Sequence, residues 1–260
     1  MKMKLFTMGA AIIAYAGAFL PARAQTAELL FPSPDGTVEV AQYAAGGTAA
    51  VLGMADGRVL RADLGEETYR ELGDCMPSVP VAVTVSEDGS LVFWGDYAGT
   101  LYRWTEDGGT QKFPVCESAL RVVRLVAGDA AVAVVPGGGD EVRYYDSASM
   151  ELAASVPIGL EQVMAGGGRG DDAFLVIGDH SGTARWVEWE GNRTSTSEWE
   201  ADTEGITGMV FWGGEKENIA TWGHSGKLRL WGDKGRDYLG YRDLEGMQIS
   251  SWSVEETGPA

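Results

Sequence analysis

A glycine turn followed by an alternating strand recurs along this chain at nearly constant spacing, and no other feature restricts the fold as much. It is clearest at 223–232, where a turn ending in Gly226 feeds a strand in which Leu228 and Leu230 face one way and Lys227, Arg229 and Trp231 the other. The turn recurs at Gly57, Gly99, Asp140 and Gly182, and the five turn positions are separated by 42, 41, 42 and 44 residues. Four short strands fit into each period, with Gly-rich turns between them and no helical periodicity beyond the N-terminal segment. Such a pattern specifies four-stranded sheets stacked radially.

The expected architecture is therefore all-β, a β-propeller of four-stranded blades with five full blades at about 37–74, 78–115, 119–157, 159–201 and 205–244. Residues 246–252 mirror 205–211 at an offset of 41, so a partial sixth blade is expected from 246–256 together with the short apolar strand at 27–31. Two arrangements follow: an open propeller completed by a partner, or a five-bladed ring with two accessory strands. An apolar residue followed by glycine recurs where the second strand meets its turn, as Leu52-Gly53, Trp94-Gly95, Ile177-Gly178 and Trp222-Gly223. Glycine there allows either a positive backbone dihedral or a close backbone approach.

Lys2 and Lys4 precede an uncharged run that ends at Leu20 and is followed by Ala22-Arg23-Ala24, the layout of a secretory signal cleaved after Ala24. The run is shorter than the roughly 20 residues a spanning helix needs. The expectation is a periplasmic or secreted protein with no membrane association after cleavage. Residues 25–260 then carry 17 basic against 38 acidic side chains, a formal charge of −21. Nucleic acid is a poor partner for such a surface, because binding phosphates needs a basic footprint. A cationic protein partner or simple solubility accounts for it better, and a second copy is the other partner expected.

Export makes a disulfide between Cys75 and Cys116 chemically permissible, and their separation of 41 residues puts them at equivalent points of adjacent units. Equivalent points on radial units diverge outward, so only a site near the hub would allow the bridge.

The chain resembles the WD-repeat β-propellers, with the quinoprotein-like propellers as the wider group. Ser86-Glu-Asp-Gly89 and Lys227-Leu-Arg-Leu-Trp231 carry the resemblance, which covers nearly all of the chain after residue 24. The signature dipeptide is replaced in every unit, by Ala62-Asp63, Trp104-Thr105, Tyr145-Asp146, Val187-Glu188 and Trp231-Gly232. The family's Gly-His pair, upstream of the Trp, has no counterpart, so its hydrogen-bonded tetrad is not carried over. The resemblance implies a rigid binding platform.

Candidate chemistry is sparse. His180 and His224 occupy matching turns, but neighbouring blades hold such turns on the order of 10 Å apart, too far for one metal. No metal or cofactor is expected. Arg61, Arg103, Arg143, Arg185 and Arg229 recur on the third strand of each unit, where pairing with nearby carboxylates is the expectation and an anion-binding ring the alternative. Trp94, Trp104, Trp186, Trp222 and Trp231 read as packing residues, whereas Trp212 and Trp252 on inner strands are candidates for the channel mouth. Met247, Ile249 and Trp252 are candidates for a partner-binding edge in the incomplete blade. Glu39 and Glu161 are loose candidates for catalytic acids, and no nucleophile elbow is present. The functional expectation is an exported, non-catalytic platform for protein binding. The alternative is a propeller with a small-molecule or hydrolytic site in its central channel.

Overall fold

The computed structural model describes residues 34–44, 49–138, 140–160, 162–167, 174–190, 193–212 and 218–244. These form twenty strands in five four-stranded antiparallel sheets, with one 3-10 turn at Asp233–Gly235. Blade 1 comprises β1 (Val38–Tyr43), β2 (Ala49–Met54), β3 (Arg58–Asp63) and β4 (Thr68–Asp74). Blade 2 comprises β5 (Pro80–Val85), β6 (Leu91–Asp96), β7 (Thr100–Thr105) and β8 (Gly109–Pro114). Blade 3 runs through β9 (Leu120–Val126), β10 (Ala131–Pro136), β11 (Glu141–Asp146) and β12 (Leu152–Pro157). Blade 4 runs through β13 (Val163–Gly167), β14 (Phe174–Asp179), β15 (Thr183–Glu190) and β16 (Arg193–Glu200). Blade 5 holds β17 (Ile206–Trp212), β18 (Asn218–Gly223), β19 (Lys227–Gly232) and β20 (Asp237–Asp243). In every sheet the strands lie side by side in chain order. The all-β propeller expected from the repeat is thus the observed architecture. The proposed sixth-blade segments at 27–31 and 246–256 lie outside the described residues.

The repeat extends to single hydrogen bonds. At the turn between second and third strands, Gly57, Gly99, Gly182 and Gly226 all have positive φ, which glycine adopts at no steric cost. The N–H groups of Cys75, Val115, Ile158, Ala201 and Leu244 donate to the carbonyls of Gly57, Gly99, Asp140, Gly182 and Gly226. Each fourth strand is therefore led back across its blade by the turn of the third. A buried aspartate also stiffens two of these turns: Asp96 accepts from the Thr100 N–H at 2.8 Å, and Asp179 accepts from the Ser181 and Thr183 N–H groups at 2.9 Å each.

Inner strands pack in sequence, β1 on β5, β5 on β9, β9 on β13 and β13 on β17. Among the described residues no comparable contact joins β17 to β1. The apolar side chains divide accordingly. Val51, Val59, Val83 and Trp94 belong to a core shared by blades 1 and 2, and Phe93, Leu101, Leu120 and Val134 to one shared by blades 2 and 3. Val135, Tyr144, Leu175 and Ile177 lie between blades 3 and 4, while Phe174, Trp186, Ile219 and Trp231 lie between blades 4 and 5. Two smaller clusters draw their described members from one blade each: Ala50, Ala62, Leu64 and Tyr69 on the flank of blade 1, and Ala220, Trp222, Leu228 and Leu244 on the flank of blade 5.

Close approach, not a positive dihedral, explains the recurring glycine at the end of the second strand. A Cβ on Gly53 would stand 2.9 Å from Pro80, one on Gly95 2.6 Å from Leu120, and one on Gly178 2.8 Å from Ile206. Each of these obstacles is the first residue of the next blade's inner strand, and Gly53 is crowded as well by Val40 of its own blade at 2.7 Å. The register also corrects the expected alignment in blade 5. Gly95 pairs with Ala82 and Gly178 with Ala165, but the residue that pairs with the equivalent Gly208 is Trp222. Gly223 therefore stands where Asp96 and Asp179 stand in blades 2 and 4. A Cβ there would meet the Gly205 carbonyl oxygen at 1.9 Å, and Asp202 Oδ2 would lie 3.0 Å away. Asp202 accepts from Ser225 Oγ at 2.8 Å and from Arg229 Nη1 at 2.5 Å, so the carboxylate of this turn comes from the preceding linker.

Candidate functional site

Two places combine polar or apolar groups in ways that the core does not require. The first lies on the axis side of the inner strands. Each inner strand is bulged against its neighbour near its start, between Val38 and Val40, Pro80 and Ala82, Leu120 and Val122, Val163 and Ala165, and Ile206 and Gly208. A bulge inserts one residue and turns the strand, so positions after it stay in step from blade to blade. Gln42, Thr84, Arg124, Gly167 and Val210 pair with Val51, Phe93, Ala133, Val176 and Ala220, and form one tier. Arg124 Nη1 donates to Gln42 Oε1. These residues belong to blades 3 and 1, so the bond passes across the inner strand of blade 2 through the space that the inner strands surround. Thr84 supports this arrangement from blade 2, its Oγ1 accepting from the Leu125 N–H at 3.1 Å.

Arg124 is surrounded by protein, and burial pushes its guanidinium from the usual 12.5 down to about 10, still cationic at neutral pH. No carboxylate forms an ion pair with it among the described residues. Part of its surface nevertheless reaches open space. The repeat-based search missed this residue because it followed arginines that recur, and Arg124 does not: the other positions of its tier are Gln, Thr, Gly and Val.

The second place is the outer strand of blade 5. Tyr238, Leu239 and Tyr241 on β20 are each more than half exposed, at 52%, 56% and 51%. Tyr238 and Tyr241 lie on the face of the sheet that carries Trp231 and Arg229, and Leu239 occupies the bulge between them. Tyr238 leans on Trp231 at 5.0 Å between ring centres, and Lys227 Nζ sits 4.9 Å from the centre of the Tyr241 ring. The strand pairs with β19 alone, so its other edge is unpaired within the sheet. The Tyr-Leu-Gly-Tyr run reads in sequence like any strand with apolar alternation, which is why it gave no signal.

The recurring arginines lie on the third strands, away from the axis, and most serve as ties. Arg143 pairs with Glu141 at 2.5 Å, Arg185 with Glu198, and Arg229 with the buried Asp202. Arg103 instead reaches the carbonyls of Ser147 and Ala148 in the next blade. Trp94, Trp104, Trp186, Trp222 and Trp231 are all buried, as packing residues should be. His180 and His224 sit exposed on their turns. Glu39 is exposed on β1, and Glu161 lies outside the described residues. The backbone of Trp212 ends β17, whereas Met247, Ile249 and Trp252 lie outside the described residues.

Both cysteines are free thiols, so the structure does not form the Cys75–Cys116 bridge. Cys75 is buried in the core between blades 1 and 2, where burial raises its thiol to about 12. Cys116 packs at the next interface, its Sγ donating to the Ser118 carbonyl at 3.1 Å. Each follows a fourth strand, and the two pack into different interblade cores, on either side of blade 2. No helix of the described residues is long and apolar enough to cross a membrane. Compared with models of protein families and with curated proteins, the chain matches none.

Proposed function

We propose that this chain is an exported, non-catalytic propeller of the WD-repeat-like kind that serves as a platform for binding another protein, with blade 5 as its docking side. The observation that carries this reading is the concentration of Tyr238, Leu239 and Tyr241, all exposed, on one outer strand whose far edge pairs with no other strand of the described residues. Aromatic side chains are enriched at protein interfaces, where they bury much area at little entropic cost. A free strand edge adds backbone donors and acceptors for a partner strand. Completion of a sixth blade by a partner strand belongs to the same reading and rests on the repeat in the sequence. The formal charge of −18 favours a cationic partner and speeds encounter with it. Export and a periplasmic or secreted location rest on the N-terminal sequence.

The test is a double substitution, Tyr238→Lys with Leu239→Lys. Both residues are exposed, so each should change stability by less than about 0.5 kcal/mol. The native mass of the protein recovered from its own compartment should exceed that of the purified chain, and the excess should vanish in the double variant. An excess that survives would remove blade 5 as the docking side. Equal masses for the unsubstituted protein in both samples would overturn the platform reading. A second reading, a ligand site in the channel, is favoured by Arg124.

A further inference from the structure

We propose that Arg124, Gln42 and Thr84 form an oxyanion-binding site inside the channel, which takes the carboxylate or phosphate group of a small molecule. A guanidinium carries five N–H donors, and Gln42 Oε1 occupies one donor of Arg124. No other side-chain hydrogen bond of Arg124 is formed among the described residues, and its remaining guanidinium nitrogens are not among the sealed, unpartnered side-chain atoms. They therefore face space and not protein.

The neighbouring groups are also donors. Because Gln42 accepts through its oxygen, its amide N–H pair is directed elsewhere. Because Thr84 Oγ1 accepts from Leu125, its own hydroxyl proton is free to donate. The adjoining position of the tier is Gly167, which adds no side chain volume beside Arg124. A cation enclosed by protein without a counter-charge is costly, and a bound oxyanion supplies both the charge and the acceptors. The planar fork of arginine suits carboxylate and phosphate oxygens, which accept two parallel N–H bonds.

This inference is independent of the docking side on blade 5, since no residue is shared and the readout is local. The full chain is titrated separately with sodium acetate and sodium phosphate, with ionic strength held constant by sodium chloride. The NMR signal of the Arg124 Nε–H, assigned by its loss in Arg124→Lys, reports occupancy. A saturable shift is expected. Saturation at lower acetate than phosphate identifies a carboxylate ligand, and the reverse a phosphorylated one; either supports the site.

Arg124→Gln should weaken binding of the preferred anion by about tenfold or more, as the loss of charge-assisted hydrogen bonds implies. Thermal stabilisation by that anion follows binding in Arg124→Gln, where the Nε signal is lost, and the Nε signal itself follows it in Gln42→Ala. Gln42→Ala, which keeps the cation, should weaken it less. It also serves as the deciding variant if Arg124→Gln does not fold. A signal unmoved by either anion, a shift produced equally by chloride, or undiminished binding in Arg124→Gln would overturn the proposal.

Discussion

At the same place in the second strand, blade 2 has Gly95 and blade 5 has Trp222. The difference records what lies beside each blade. Leu120 of the next blade claims the space above Gly95, and a Cβ there would stand 2.6 Å from that of Leu120. The Trp222 ring lies over Gly208 of its own sheet, where a Cβ would come within 2.2 Å of the indole. Blade 3 solves the problem from the other side: Val135 is retained in its core, and room is found at Gly166 of blade 4, where a Cβ would meet Val122 at 2.5 Å. Interblade packing thus constrains volume at a few register positions.

Replacing Trp222 with alanine should have the largest effect, about 4 kcal/mol by denaturant unfolding, because it removes a large buried side chain from the cluster with Ala220, Leu228 and Leu244. A loss below about 1 kcal/mol would mean that the blade 5 flank does not act as a core. Gly95→Ala should cost about 2 kcal/mol through overpacking against Leu120. Gly226→Ala is its control: nothing lies within 4 Å of the added Cβ, and φ is +69°. That change should cost only the backbone term, about 1 kcal/mol. If the two alanine variants lose the same stability, contact with the next blade is not what selects Gly95.

The thiols contrast an enclosed position with a half-buried one. At pH 8 an alkylating reagent should modify Cys116 and leave Cys75 intact until the chain is denatured, as mass spectrometry of the labelled peptides would record. The sign of the pH effect follows from the raised Cys75 value. Its contribution to stability is full below the unfolded thiol value of about 8.5. It is lost progressively as pH rises towards the folded value of about 12. Equal labelling of both cysteines in the folded protein would contradict the enclosed position of Cys75.

The repeat made the blades legible because each turn glycine and each alternating strand is a local requirement of the same sheet. The apolar-glycine pair misled in blade 5 for an instructive reason. Trp222-Gly223 has the same letters as Trp94-Gly95, but the register moves it by one residue, and only strand pairing reveals that Trp222 holds the glycine position. Arg124 was illegible because a channel tier needs no common residue type. It becomes visible only when the bulges align Gln42, Thr84 and Arg124 across three blades. The thiols of Cys75 and Cys116 keep the spacing of the repeat, yet equal spacing along a chain does not bring outer positions of a fan together.

The apolar cores have a consequence for cooperativity. Each is shared by two consecutive blades, so the described sheets are coupled as nearest neighbours, like the units of a repeat array. Blade 3 is held from both sides, by the core with blade 2 and by that with blade 4. Among the described residues, blades 1 and 5 each share one such core. Amide hydrogens on β10 should therefore outlast those on β3 and β19 in exchange with solvent, with opening that starts at the flanks and travels inward one blade at a time.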